Sequence, residues 1–585
     1  MTVMKDALLE VLKKAAVSLG IEASSVTLGY PDDPGHGDFA TNIALVNAKK
    51  LGLNPRVLAD KIVAEFEKLR ALGLAKDVET VSVAGPGFVN FKFVPRVFAE
   101  EVVRIGTGGA EYGWSEAEKG RKVMVEHTDP NTFKVLHIGH LMVNAIGESL
   151  SRLIQASGAE VIRICYPSDI GLHIAKSIWA WQKNADNGAV KVPADDAPIQ
   201  ERTTFLGKMY VEGTQAYEAD IAAKDDIDAL NKVIYEKSSP FIDELYEKGR
   251  KWSLDHFEKI YETLGTKFDE YIYESEMAPV GLEIVHSNTK SRGTNTFEES
   301  EGAVVFKGED HGLHTRVFVN SKGLPTYEAK EVGLNITKFK KHPDAVQSII
   351  ITASEQNDYF KVLTKVLSLI DPKDGDKTRH IGHGMMRFAF GKMSSRTGKV
   401  ITAEALLADM RSMVADKISA REGGDFSTDE VSEISDAVAV AAIKYTILRA
   451  SIGSDIIFDS AASISFEGDS GPYLQYSAVR AGAVLQKADV RGESQIILPE
   501  KVGQLERFIT RFPDVIARAR AEYAPQHVTT YLIELAAAFN SFYASQVIVD
   551  KNDPLSPYYV VLTQAFRTVM INGLWVLGIR VPKRM

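Results

Sequence analysis

Two short segments of the 585-residue chain carry side chains suited to chemistry on a phosphate: His137-Ile138-Gly139-His140 and, about 250 residues later, Lys392-Met393-Ser394-Ser395-Arg396. Histidine, lysine and arginine place hydrogen-bond donors and positive charge where phosphate oxygens gain negative charge, and adenylyl transfer needs little more from a protein. The first segment follows the apolar Val123, Met124 and Val125. It opens a run with Leu141, Met142, Ala145, Ile146, Leu150, Leu153 and Ile154 at helical spacing. Both histidines are therefore expected in a strand-to-helix turn, where backbone N–H groups are unpaired and attract anions. Gly139 lets a flat ring or a sugar come close to the backbone. The two segments together point to attack on the α-phosphate of ATP.

A four-residue histidine pattern alone is weak, since paired histidines also sit on surfaces or bind metals. This chain contains it twice, the second time as His380-Ile381-Gly382-His383. Position separates the copies. Gly158 and the strand-like Val161, Ile162, Arg163 and Ile164 follow the helical run of the first, which places it in the first turn of a βαβ unit, where open parallel sheets bind nucleotides. Gly384 and no long helical run follow the second.

The elements that must position these groups fall into three expected modules. Residues 1–110 form an α+β unit, with a helix, a turn at Pro31 to Gly35, a longer helix, strand-like Val81 to Phe93 and an exit at Gly106 to Gly109. Residues 111–430 alternate strands and helices as an α/β domain, with a charged helical insertion near 175–300. Residues 431–585 form an all-α bundle, with helices over Ala437–Ala450, Tyr473–Ala488, Val502–Tyr523, Thr529–Val549 and Pro557–Leu577. The chain has no run of 18 apolar residues and no cleavable leader, so it is expected to be soluble and cytoplasmic, without a membrane partner. Cys165 is the only cysteine, which excludes an intrachain disulfide and a zinc ribbon or knuckle. A net charge of −10 argues against nonspecific nucleic-acid binding and leaves room for a specific partner held by local basic patches.

Over essentially its whole length the chain resembles the arginyl-tRNA synthetase family. The resemblance rests on Gly37-Asp38-Phe39-Ala40-Thr41-Asn42-Ile43-Ala44 and Gly85-Pro86-Gly87-Phe88-Val89-Asn90-Phe91 near the start, and on the block from Glu126 through Pro130-Asn131 and Lys134 to His140. Gly471-Pro472-Tyr473-Leu474-Gln475-Tyr476 and the ending Leu577 to Met585 complete it. It implies a Rossmann-like class I synthetase catalytic domain, an N-terminal appended domain that contacts the tRNA elbow, and a C-terminal anticodon-binding helix bundle.

The activity so implied is arginine–tRNA ligation: L-arginine attacks ATP to give arginyl-adenylate, and the arginyl group then moves to the 3' end of tRNA(Arg). His137, His140, Lys134, Lys392 and Arg396 are the implied catalytic residues. His137, Gly139, His140, Lys392, Met393, Ser394 and Ser395 form the implied ATP site, with Mg²⁺ arriving on the nucleotide and no protein-bound metal. The class I signature has a second lysine where this chain has Ser395, and Lys134 is assigned the compensating charge. For arginine, whose planar guanidinium carries five donors, the resemblance implies Glu126 and Asn131 at the α-amino and carboxylate end, with Tyr327, Glu331 and Gln356 completing the pocket. Tyr327 and Glu331 share a helix face by their i, i+4 spacing; Glu331 stands where the family usually has Asp, and Tyr359 where it has His. Met142 and Val143 replace the usual Arg-Ser, and Asp169-Ile170-Gly171-Leu172-His173 replaces the family's Asp-Trp-Gly-Thr-Gln. Arginine has no common smaller isostere, so no editing domain is needed. The chain is expected to act as a monomer. The alternatives are another class I synthetase, a small nucleotidyltransferase, or a noncatalytic paralogue that binds RNA.

Overall fold

A computed structural model describes all residues except 1, 32, 187, 189, 290–295, 389–400, 421–425 and 489–495. The segment from Lys392 to Arg396 therefore lies outside the described residues. By their internal packing the residues form two compact units. One combines 1–114 with 476–518 and 530–573, the other 115–475 with 519–529 and 574–585.

The second unit is built on a five-stranded parallel sheet. In chain order its strands and neighbouring helices are β1 (Lys122–Glu126), α1 (Ile138–Ala156), β2 (Glu160–Cys165), α2 (Ile199–Ala219), α3 (Pro240–Leu264), β3 (Glu270–Tyr271), α4 (Glu274–Ser287), α5 (Tyr327–Lys341), β4 (Ala345–Ala353), α6 (Asn357–Ile370), β5 (Thr378–His383) and α7 (Ala403–Ser419). The strand order is β5-β4-β1-β2-β3, all neighbours parallel. From β1 the chain builds outward through β2 and β3, then returns to place β4 and β5 on the other side. The order reverses at the β1/β4 junction, and the crevice beyond the carboxyl ends of those strands is where such sheets bind ligands. Val123, Met124 and Val125 are wholly buried, because helices cover both faces of a parallel sheet.

The helical excursion after β2 is shorter than the sequence expectation near 175–300. Helices run over Leu172–Asp186, α2, Ile221–Glu236 and α3, and the chain is back in the sheet at β3. Strand β3 is only two residues long, so period-2 patterning could not reveal it. Helix α4 then packs closely on α5. A Cβ at Gly281 would stand 2.0 Å from the Ala329 carbonyl oxygen, so only glycine permits this approach. That contact brings Glu274 and Glu331, from separate helices, to one place.

In the first unit, Phe39–Thr41, Phe88–Phe93 and Val78–Ala84 form a three-stranded antiparallel sheet, with Phe88–Phe93 central. The expected single stretch Val81 to Phe93 is thus a hairpin turning at Gly85 to Gly87. The expected exit at Gly106 to Gly109 falls on the end of a helix, Pro95–Gly108, because a buried apolar face of Phe98, Ala99, Val102 and Ile105 outweighs the glycines. The C-terminal helices are Thr428–Leu448, Gly471–Lys487, Gln504–Glu522, Gln526–Ser545 and Ser556–Val576, within a few residues of the ends read from the sequence except at the start of the first. Among the described residues no helix is long and apolar enough to cross a membrane.

Candidate active site

Helix α1 begins at the first histidine segment, with His137 as its N-cap in extended conformation (φ −110°, ψ 171°). The Gly139 N–H donates to His137 Nδ1 at 3.1 Å, and the His137 N–H donates to His140 Nδ1 at 3.1 Å. Each ring therefore spends Nδ1 as an acceptor and must carry its proton on Nε2. Burial lowers the His137 pKa, and Lys134 lowers it further; burial and the His137 ring push His140 down to about 3. Both side chains are neutral imidazoles that present an Nε2–H donor, above N–H groups of a helix terminus. The rings sit 3.9 Å apart.

Residues just after the Lys392 segment reach this turn. Thr402 forms an antiparallel bridge with His137, the Ala403 N–H donates to the Leu136 carbonyl at 2.9 Å, and Thr402 caps α7. The described residue Phe388, on the other side of the segment, ends a short strand paired with Ile456–Phe458.

The backbone between β1 and α1 is unusual. Thr128, Asp129 and Phe133 have positive φ of 82°, 37° and 62°, a conformation that costs a non-glycine residue of order 1–3 kcal/mol. Tertiary bonds hold it there. The Tyr166 N–H donates to Asp129 Oδ1 at 2.7 Å, the Phe133 N–H donates to Ser253 Oγ at 2.9 Å, and Asn131 pairs with Ser168.

Beside this segment lies a buried set of acids. Glu126 ends β1 and is paired with Lys338 of α5 at 2.5 Å, both side chains being almost fully buried. Glu274 opens α4 and is ion-paired with Lys330. Glu331 is 1% exposed, and its Oε2 is buried with no hydrogen-bond partner. Burial and then the Glu126 carboxylate push its pKa up to about 8, while the Tyr327 hydroxyl and Lys338 pull it back. Burial and Glu126 likewise raise Asp129 well above the usual carboxylate range. Gln356 Oε1 and the Tyr166 and Tyr359 hydroxyls are also buried without partners. Tyr327 packs on Tyr359 with ring centroids 5.2 Å apart. Two acids are thus ion-paired with lysines, while Glu331 and Asp129 feel Lys338 only at a distance and have no ion-pair partner of their own among the described residues. A buried set of this kind is stabilised by a cationic ligand with many donors.

The structure groups Glu126, Tyr327, Glu331 and Gln356 at the carboxyl ends of β1 and β4, and His137, Gly139, His140 and Lys134 at the start of α1. Sequence reasoning missed Glu274, Asp129, Tyr166 and Lys338. Lys338 was within reach: it lies on the α5 face of Tyr327 and Glu331, seven residues beyond the latter. Glu274 had no signal, since it opens a helix in a stretch without motif. Asp169 is buried and saturated by Arg250, Tyr246 and Ser275, so it fastens α3 and α4 to the sheet. His173 Nε2 lies 3.2 Å from the Ser168 carbonyl oxygen. The second histidine segment is strand β5, where His380 stacks on Phe360 at 4.0 Å and its Nε2 is 2.8 Å from Thr352 Oγ1.

In the first unit, Phe39 is buried. A cleft of about 580 Å³ is lined by residues including Asn42, Gly85, Phe88 and Asn90. Of the C-terminal arginines, Arg507 is ion-paired with Asp38 and Arg511 lies over the Tyr30 ring at 4.4 Å, so both hold the N-terminal segment to a C-terminal helix. Phe539 is core, stacked on Phe566 at 3.9 Å.

Comparison with known proteins gives this geometry its context. Residues 105–460 match the model of the class I tRNA synthetase (R) catalytic domain, residues 2–93 that of the arginyl tRNA synthetase N-terminal domain, and residues 474–585 that of the DALR anticodon binding domain. An arginine–tRNA ligase of Treponema pallidum is 30% identical over 94% of this chain and 95% of its own length. The chain belongs to the arginyl-tRNA synthetase family. One from Borrelia hermsii is 27% identical over 100% of this chain and 99% of its own. In fold, the chain is similar to the Thermus thermophilus arginyl-tRNA synthetase, with a TM-score of 0.79 at 22% identity, covering 99% of this chain and 100% of the other. The Plasmodium falciparum arginyl-tRNA synthetase gives 0.78 at 17% identity, covering 100% and 99%.

Proposed function

We propose that this arginine–tRNA ligase activates L-arginine at the crevice between β1 and β4, with the residues named above in distinct roles. The observation that carries the reading is the buried acid set around Glu331, short of a cation and adjoining a helix N-terminus that offers two neutral histidine donors. Tyr327, Glu331 and Gln356 receive the arginine side chain, with Glu274 beside them. Glu126, held by Lys338, and Asn131 lie toward the α-amino and carboxylate end.

The arginine carboxylate oxygen attacks the α-phosphorus of ATP, the bond to the bridging oxygen breaks, and pyrophosphate leaves. His137 and His140 donate from Nε2 to the nucleotide, Gly139 lets it approach the backbone, and Lys134 offsets charge on the α-phosphate. Lys392, Met393, Ser394, Ser395 and Arg396 belong to the same step by their family motif and lie outside the described residues. Mg²⁺ enters with ATP. A hydroxyl of the terminal adenosine of tRNA(Arg) then attacks the arginyl carbonyl and AMP leaves. Modules 1–110, 111–430 and 431–585 divide the work, the cleft near Asn42 and Phe88 facing the tRNA elbow and the C-terminal bundle the anticodon, in a monomer acting in the cytoplasm.

Arginine-dependent ATP–pyrophosphate exchange, with and without total tRNA, tests this reading. Exchange with arginine and none with lysine or citrulline supports the charge-reading pocket. Exchange with citrulline overturns it, and no exchange with tRNA binding retained identifies a noncatalytic paralogue.

A further inference from the structure

Lys134 lies three residues before the histidine turn, and among the described residues it has no carboxylate partner. Its Nζ sits instead over the ring of Tyr210, 4.6 Å from the centroid. Tyr210 belongs to α2, in the helical insertion that carries no motif. The neighbouring Phe205, Leu206 and Met209 are buried in the core that includes Trp181 and Trp252, so α2 is a rigid support. Three residues before Tyr210 and on the same helix face, Gly207 meets the chain beside Lys134: a Cβ there would stand 3.4 Å from Val135 Cγ1. Two contacts thus seat α2 on the Lys134–Val135 segment. The lysine charge reaches the site, since Lys134 lowers the pKa of His137, His140 and His173.

We propose that Tyr210 is a positioning residue for adenylate formation: its ring holds the Lys134 ammonium beside the histidine turn without neutralising it. The chemistry explains why an aromatic suits this place. A carboxylate would hold a lysine more tightly and would also cancel the charge that the α-phosphate needs. A ring face attracts the ammonium through its quadrupole, leaves its net charge intact and yields to a phosphate oxygen. The device matters more where Ser395 replaces a lysine and a single flexible side chain must supply the missing charge.

The inference rests on the assignment of Lys134 to the α-phosphate, and the test separates the two. Arginine-dependent exchange is measured at saturating tRNA for Lys134→Ala, Tyr210→Leu, Tyr210→Phe and the Lys134→Ala/Tyr210→Leu double variant, with a melting temperature for each. Tyr210→Leu is expected to lower kcat by about two- to thirty-fold, the range of a cation–π contact, with the arginine KM unchanged. Tyr210→Phe, which keeps the ring, restores kcat, and the double variant is no slower than Lys134→Ala alone. A kcat for Tyr210→Leu equal to wild type, or a loss that multiplies with that of Lys134→Ala, overturns the role of Tyr210. Full exchange by Lys134→Ala overturns the assignment of the lysine itself. Should Tyr210→Leu melt early, Tyr210→Met provides the same comparison: lowered kcat supports the proposal and wild-type kcat overturns it.

Discussion

The two ends of the candidate site are assembled in opposite ways. At the nucleotide end, four consecutive residues and one helix terminus set the tautomer and direction of two donors through backbone bonds of 3.1 Å, while burial keeps both rings neutral. At the arginine end, Glu126, Glu274, Glu331 and Gln356 come from separate elements across about 230 residues of chain, and only tertiary packing buries Glu274 and Glu331 deeply enough to raise their carboxyl pKa. A local motif keeps its chemistry as long as its turn is intact. A distributed pocket depends on every contact that brings its walls together, such as the approach of α4 to α5 at Gly281. The second histidine segment makes the same point from the other side: the same four residues in strand β5 spend their side chains on Phe360, Thr352 and Gly384.

The contrast predicts separable losses, the largest at the nucleotide end. His140→Ala is expected to lower kcat of exchange about a hundred- to a thousand-fold, as for other preorganised donors worth about 2.7–4 kcal/mol in a transition state, while the arginine KM changes little. A comparable rise in the arginine KM would mean that the two ends are one unit.

The next effect belongs to the arginine end and is a pH dependence. The Glu331 carboxyl is raised to about 8 from an ordinary 4.5, so it is protonated in the free enzyme at neutral pH, whereas a guanidinium needs the carboxylate. Arginine binding must release a proton, and its KM should fall up to about tenfold per pH unit as pH rises toward 8, then level. The sign for folding is opposite. The contribution of this group is fully present below pH 4.5 and lost as pH rises through about 8; because arginine binds the carboxylate form, it should stabilise the enzyme more at pH 8.5 than at 6.5. Thermal shifts at the two pH values check this; equal shifts would remove Glu331 from the pocket.

The smallest effect is expected at the second histidine segment. His380→Ala removes a stacked ring and a hydrogen bond together worth about 1–2 kcal/mol. It should lower Tm by about 1–2 °C and leave exchange kinetics within twofold. A loss of kcat there would erase the distinction between the two copies.

What could be read from the chain follows the same division. Helix α1, its histidine cap and the amphipathic C-terminal helices were legible because each signal is short-range: a cap, a period, a turn residue. Tyr327 and Glu331 were legible because they share one helix face. Strand β3 was invisible at two residues, and the Phe39–Thr41 strand at three, since neither is long enough to show a period. Glu274 and the unpartnered Tyr166 hydroxyl could not be found, because their burial is created by tertiary contacts between α4, α5 and the segment after β2.

The most direct test of the separation is Glu331→Gln, which keeps the size of the side chain and removes only its charge. ATP–pyrophosphate exchange would be measured with arginine and ATP each varied at saturation of the other. The account predicts an arginine KM raised at least about tenfold, the effect of losing one buried charge-assisted hydrogen bond, with the ATP KM within twofold of wild type. Equal increases in both would contradict it.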